Sequence, residues 1–124
     1  MQEHAEEMLI PKEMSFQFQT SNLPNEKTLQ IDTRQQLQLI FREAITNIVK
    51  HTDSSQVLIF LQNTSEAFTM SVQDNGSEAI RKWNRPSSGL GIENMKMRAK
   101  KLAGTLTVTP SLEGTIVTLS MPPL

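Results

Sequence analysis

Apolar residues recur at helical spacing between about Thr33 and His51, at Leu37, Ile40, Phe41, Ala44, Ile45 and Ile48, and this is the clearest helix in the chain. On both sides of it the period shortens to two. Phe16 and Phe18 alternate with polar residues over Ser15 to Thr20, and Leu29 to Asp32 forms a second short strand candidate after a turn at Leu23 to Lys27. Val57 to Gln62 and Phe68 to Gln73 predict two more strands, joined by a polar turn near Asn63 to Glu66. A second helix is predicted from about Gly91 to Ala103 on Ile92, Met95, Ala99 and Leu102, with Gly104 placed to end it in a left-handed conformation. Leu106 to Thr109 and Thr115 to Met121 close the chain as strands around a turn at Leu112 to Gly114. Ahead of all this, Met1 to Glu13 is a disordered-looking leader, the tail of a helix or a linker, with a boundary at Pro11. The expected fold is α+β: a two-layer sandwich of a mixed, mainly antiparallel sheet with helices on one face. The division is 1–13 as leader or linker remnant and 14–124 as one folded domain.

Length agrees, since 124 residues suffice for a single packed core and not for two. Charge is nearly balanced, with 12 basic and 13 acidic residues, which gives no reason to expect nucleic acid or an anionic membrane as partner. The absence of cysteine excludes disulfides, thiolate metal sites and thiol catalysis, and is compatible with a reducing cytoplasm. No apolar run reaches membrane-spanning length and no signal peptide is visible. The basic residues are unevenly placed. Between residues 77 and 103 there are Arg81, Lys82, Arg85, Lys96, Arg98, Lys100 and Lys101 against only Glu78 and Glu93.

The first helix carries the most chemistry. At about 100° per residue, Glu43, Asn47 and Lys50 project within a sector roughly 60° wide, with His51 at its border. Such a face can meet a metal-nucleotide. An Asn47 amide oxygen suits magnesium, whose shell is otherwise phosphate oxygens and water. Glu43 can hold a metal-shell water or take a proton from an attacking nucleophile, and Lys50 can approach a phosphate. The plain alternative is an amphipathic helix whose polar face meets water.

Two further motifs follow. Asp74 ends an alternating strand, where its carboxylate can accept a hydrogen bond from the exocyclic amine of adenine and would face the oxygen of guanine unfavourably. Gly76 lets the chain pass the base without a side chain in the way. Asn-Gly is also the strongest short hairpin signal, but the following SEAIRKWN does not alternate like a returning strand. Gly89, Leu90 and Gly91 stand immediately before the second helix, where exposed amides and the helix's positive end suit phosphate. Ser77 to Ser88, with Arg81, Lys82, Arg85 and the single tryptophan Trp83, is expected to be a mobile lid between the two glycine motifs.

The order of these pieces resembles the ATP-binding domain of bacterial sensor histidine kinases, within the superfamily shared with DNA gyrase, mismatch-repair ATPases and a heat-shock chaperone. The resemblance covers roughly residues 31 to 121. It implies that Glu43 and Asn47 are the acid and metal-binding amide of the N box, with Lys50 and His51 as the basic pair after them. Asp74 and Gly76 then belong to the first glycine box, where Glu78 replaces the usual second glycine. Gly114 and Thr115 match a Gly-Thr whose hydroxyl helps to hold water and Asp74 at adenine. GLGIENMKMRAKKLAGTLTV is similar to the kinases that work with helix-turn-helix response regulators, although Ala103 replaces the first of two usual glycines.

By that resemblance the cofactors are ATP and Mg2+, and the γ-phosphoryl group goes to a histidine on a dimerisation segment absent from this chain. The partners are that segment and a downstream response regulator, not nucleic acid. The full-length protein would be a homodimeric, membrane-anchored sensor with this domain in the cytoplasm, and the catalytic part alone a monomer. An anti-sigma-factor-type serine kinase shares the EAxTN helix, but Lys50 and NMxxRA favour the histidine kinase. A gyrase-type ATPase would need a second domain reaching the phosphates. A non-catalytic nucleotide-sensing module is the alternative from another class.

Overall fold

In the computed structural model, which describes residues 1–76, 91–111 and 113–124, the alternating segments become β1 (Ser15–Ser21), β2 (Gln56–Asn63), β3 (Phe68–Asp74), β4 (Thr105–Ser111) and β5 (Gly114–Met121). The helices are α1 (Gln2–Leu9), α2 (Ile31–His51) and α3 (Ile92–Lys101). The strands form one sheet in the order β1-β2-β3-β5-β4. β1 is parallel to β2 and the other pairings are antiparallel. Parallel neighbours need a crossover rather than a hairpin, and α2 supplies it. The expected two-layer architecture with a mixed, mainly antiparallel sheet is therefore present.

The register explains where the core sits. Phe18, Ile59, Val72, Val117 and Val108 form one row across all five strands, and Leu61, Met70, Leu119 and Leu106 form part of the next. These residues face α2, whose Leu37, Ile40, Phe41, Ala44, Ile45 and Ile48 are all at most 3% exposed. Phe18 meets Phe41 edge-on at 6.3 Å, a favoured aromatic geometry.

Two sequence expectations give way. Leu29 to Asp32 is not a strand: Asn25 caps a 3-10 turn at Glu26–Thr28 by accepting from the Lys27 amide at 3.0 Å, and α2 starts at Ile31. Asp32 thereby falls in the first helical turn, where a carboxylate complements the helix dipole. The leader is not disordered either. It forms α1, whose Ala5 and Leu9 are fully buried against the same core, and His4 stacks edge-on to Phe41 at 6.3 Å. Spacing hid this because one eight-residue helix offers only two core positions. Its end before Pro11 is as expected.

The end of α3 also differs in detail. The Gly104 amide bonds the Ala99 carbonyl at 2.8 Å and the Ala103 amide bonds Lys100 at 3.0 Å, a Schellman closure. The left-handed residue is Ala103, at φ 56°, rather than Gly104. Gly104 is required for another reason: a Cβ there would lie 2.6 Å from the Ser120 carbonyl oxygen. Since a left-handed alanine is strained, Ala103→Gly should stabilise the fold by about 0.5–1 kcal/mol. Denaturant unfolding will check it; a loss of stability would remove the strain from consideration.

Candidate functional site

The buried face of the sheet ends in a polar row. Continuing inward alternation along β3 and β5 brings Asp74 and Thr115 to the helix side of the sheet, in the row of Phe16 and Val57. Asp74 is 3% exposed and Thr115 1%. A carboxylate so placed needs donors, and it has them. Ser54 Oγ donates to Asp74 Oδ1 at 2.9 Å, the Gly76 amide donates to the same oxygen at 2.8 Å, and the Thr115 backbone amide adds a third bond. The Thr115 hydroxyl, by contrast, is buried without a hydrogen-bond partner among the described residues. An unpaired buried hydroxyl is costly, so a row ending in a carboxylate and a spare hydroxyl is built to receive polar atoms.

Burial pushes the Asp74 carboxyl above its ordinary range, and nearby Asp53 adds to the rise, while the bonds from Gly76, Ser54 and Thr115 oppose it. The folded protein then holds this proton more tightly than the unfolded chain. Asp74's contribution to stability is fully present below the ordinary carboxylate pKa and is lost as pH rises through the raised value. Unfolding of the ligand-free protein and of Asp74→Asn, compared across that window, should show the wild type losing stability relative to the variant as pH increases. A constant difference would mean that burial leaves this carboxyl unperturbed.

On α2, the three polar positions separate by depth. Asn47 is 1% exposed, Glu43 half-buried and Lys50 exposed. The sector therefore does not simply meet water; it runs from the protein interior outwards. Glu43 lies directly against Gly91, where an added Cβ would be 2.6 Å from the Glu43 Cδ. Gly91 is the left-handed N-cap of α3, at φ 68°, so the carboxylate stands at the positive end of that helix. His51 is the last residue of α2, but its side chain is outside what is described, as are Gly89, Leu90 and the expected lid from Ser77 to Ser88 with Arg81, Lys82, Trp83 and Arg85.

Sequence reasoning missed the parts played by Ser54 and Asn75 and gave only part of that of Gly114. Ser54 touches Asp74 across 20 positions in the chain, and an isolated serine between polar residues carries no signal. Asn75 clasps the start of β2, its Oδ1 accepting from the Ser55 and Gln56 amides at 2.9 and 3.1 Å and its Nδ2 donating to Ser55 Oγ at 3.0 Å. That long-range clasp replaces the hairpin that Asn-Gly alone suggests. Gly114 was noted only as half of a Gly-Thr pair; its φ of 136° and its position against the Asp74 and Asn75 backbone make it part of the pocket wall.

Comparison with known proteins places this geometry. Residues 32–124 match the family described as histidine kinase-, DNA gyrase B- and HSP90-like ATPase. The chain is 35% identical over 97 residues to the nitrate/nitrite sensor protein NarQ of Escherichia coli strain K12, covering 75% of this chain and 17% of that protein. It is 31% identical over 97 residues to the sensor histidine kinase MctS of Rhizobium johnstonii, covering 77% of this chain and 21% of that protein. It thus spans about a fifth of the length of these relatives. Among solved structures, the ATP-binding domain of PrrB from Mycobacterium tuberculosis superposes with a TM-score of 0.58 at 26% identity, over 73% of this chain and 69% of that one. The histidine kinase AdeS of Acinetobacter baumannii shares the fold, with a TM-score of 0.74 at 15% identity over 98% of this chain and 60% of that one.

Proposed function

Because the chain belongs to the histidine kinase-, DNA gyrase B- and HSP90-like ATPase family, we propose that it binds Mg-ATP as the catalytic domain of a two-component sensor histidine kinase. Its phosphoryl acceptor is a histidine on a separate dimerisation segment. The observation that carries this reading is the buried Asp74 carboxylate beside the unpaired, buried Thr115 hydroxyl. Asp74 accepts from the adenine amine, and the Thr115 hydroxyl supplies a further polar contact at the base. Gly76, buried beside Asp74, donates its amide to that carboxylate and packs without a side chain against Asp53 and Ser54.

The remaining residues serve the phosphates. The oxygen donors Asn47 and Glu43 suit a hard cation; when bound, magnesium neutralises charge on the transferring phosphates. Asn47 would hold the metal through its amide oxygen. Lys50 approaches phosphate from the exposed side of α2, and the α3 amides beginning at Gly91, with Gly89 and Leu90 ahead of them, cradle it. Glu43 takes the proton of the incoming imidazole. Chemistry of this kind is mainly positioning and charge stabilisation.

His4 is not the acceptor in this reading. Its ring packs edge-on against Phe41 and its Nε2 is buried without a partner among the described residues. The partners are therefore the dimerisation domain, homodimeric in the full-length protein, and a response regulator that receives the phosphoryl group. The catalytic part alone is a monomer, a cytoplasmic portion of a membrane-anchored sensor; no described helix is long and apolar enough to cross a membrane.

Titration with Mg-ATP and Mg-GTP tests the base reader. The wild type should prefer ATP, and Asp74→Asn should erase the preference at a cost of about 1–3 kcal/mol in ATP binding. Equal affinity of the wild type for both nucleotides would sink the assignment.

A further inference from the structure

The turn between α2 and β2 is tied to the end of β3 by more than sheet pairing. Thr52 Oγ1 lies 2.8 Å from the Ile48 carbonyl oxygen and 2.8 Å from Ser54 Oγ, and Ser54 Oγ lies 2.9 Å from Asp74 Oδ1. These contacts form one line of oxygens from the last turn of α2, one residue beyond Asn47, to the Asp74 carboxylate. Proton counting assigns the donors. Each hydroxyl has one proton: Thr52 gives its own to the Ile48 carbonyl, Ser54 gives its own to an ionised Asp74, and Thr52 supports Ser54 by accepting from the Ser54 backbone amide at 3.3 Å.

Gly76 gives independent reason to think the turn matters. A Cβ on Gly76 would lie 2.9 Å from Ser54 Oγ, 2.9 Å from Asp53 Oδ1 and 3.0 Å from Thr52 Cβ. The turn is therefore packed against both residues of the Asp74–Gly76 motif. Rotation of a carboxylate about its final bond is soft, and Asp74 Oδ1 is pinned from two sides, by Ser54 and by the Gly76 amide. Only the first of these is open to substitution without moving the backbone.

We propose that Ser54, supported by Thr52, is a positioning residue for base discrimination: it holds the Asp74 carboxylate in the plane that meets an adenine amine and rejects a guanine carbonyl. The proposal rests on Asp74 being the base reader. It also couples the helix that carries Asn47 to the base pocket through the Thr52–Ser54 turn.

The test measures ATP and GTP dissociation constants with magnesium, alongside melting temperature, for wild type, Ser54→Ala, Thr52→Val, Asp74→Asn and the Ser54→Ala/Asp74→Asn double variant. Ser54→Ala should lower the ATP preference over GTP by roughly three- to tenfold. Thr52→Val should move it the same way by less, and adding Ser54→Ala to Asp74→Asn should change nothing further. A Ser54→Ala protein that melts lower but keeps the wild-type preference would reduce Ser54 to a structural part and overturn the proposal. So would an equal loss from Ser54→Ala with and without Asp74. Should Ser54→Ala not fold, Thr52→Val decides, since it keeps volume and removes only the upstream hydroxyl; an unchanged preference there is fatal. If instead Asp74→Asn itself keeps the wild-type preference, the reading of Asp74 fails, and the two failures are told apart.

Discussion

Replacing Glu43 with Gln should leave nucleotide affinity nearly intact and slow phosphoryl transfer by about 10²–10⁴-fold when a helical segment bearing the acceptor histidine is supplied. Gln keeps the length and most hydrogen bonds of Glu but cannot take a proton. The carboxylate is half-buried on α2 and lies against Gly91 at the start of α3, so it borders the site where that helix's positive end favours phosphate. In the role proposed for Glu43 the substitution removes the proton acceptor and leaves the Asp74 carboxylate and its bonds unchanged. Loss of rate with little change in binding is the signature of an interaction made only in the transition state. Transfer at the wild-type rate by Glu43→Gln would make this part of α2 structural and would return the base to some other residue.

How much of this was legible in the chain depends on the range of the signal. The period of α2 gave its core face, and the alternation in β2 and β3 gave the inward row, because both are local consequences of backbone geometry. Asp74 could be placed at a strand end for the same reason. Nothing local announced that β1 would pair parallel to β2, or that Leu29 and Gln30 would be an extended lead into a helix rather than a strand; both follow from the docking of α2 across the sheet. Leader residues Ala5 and Leu9 were unreadable because two apolar positions make no period. Ser54 was unreadable because its partner is 20 positions away. Gly104 and Ala103 divide the roles for a physical reason: the bonds closing α3 set residue 103 in the left-handed conformation, and the tight approach of β5 demands a residue without a side chain at 104.

The same logic of close approach makes Gly114 the most sensitive glycine of the site among the described residues. Gly114→Ala should cost about 2–4 kcal/mol of stability and weaken ATP binding with it. Two effects combine. The φ of 136° lies where only glycine is at ease, and a Cβ would stand 2.8 Å from the Asp74 carbonyl carbon and 3.0 Å from Asn75 Cα. Those obstacles are backbone, and Asn75 is fastened to the Ser55 and Gln56 amides, so neither can move without loosening β2. Displacing Asp74 would in turn break its bonds from Ser54 and Gly76. Gly76→Ala is the informative contrast. Its nearest obstacles are the side-chain oxygens of Asp53 and Ser54, which can swing aside, so the fold should suffer less while base discrimination suffers as much. Denaturant unfolding and ATP titration on both variants separate the two cases. Wild-type stability in Gly114→Ala would mean that β5 does not press on Asp74 as described, and the pocket wall would have to be redrawn.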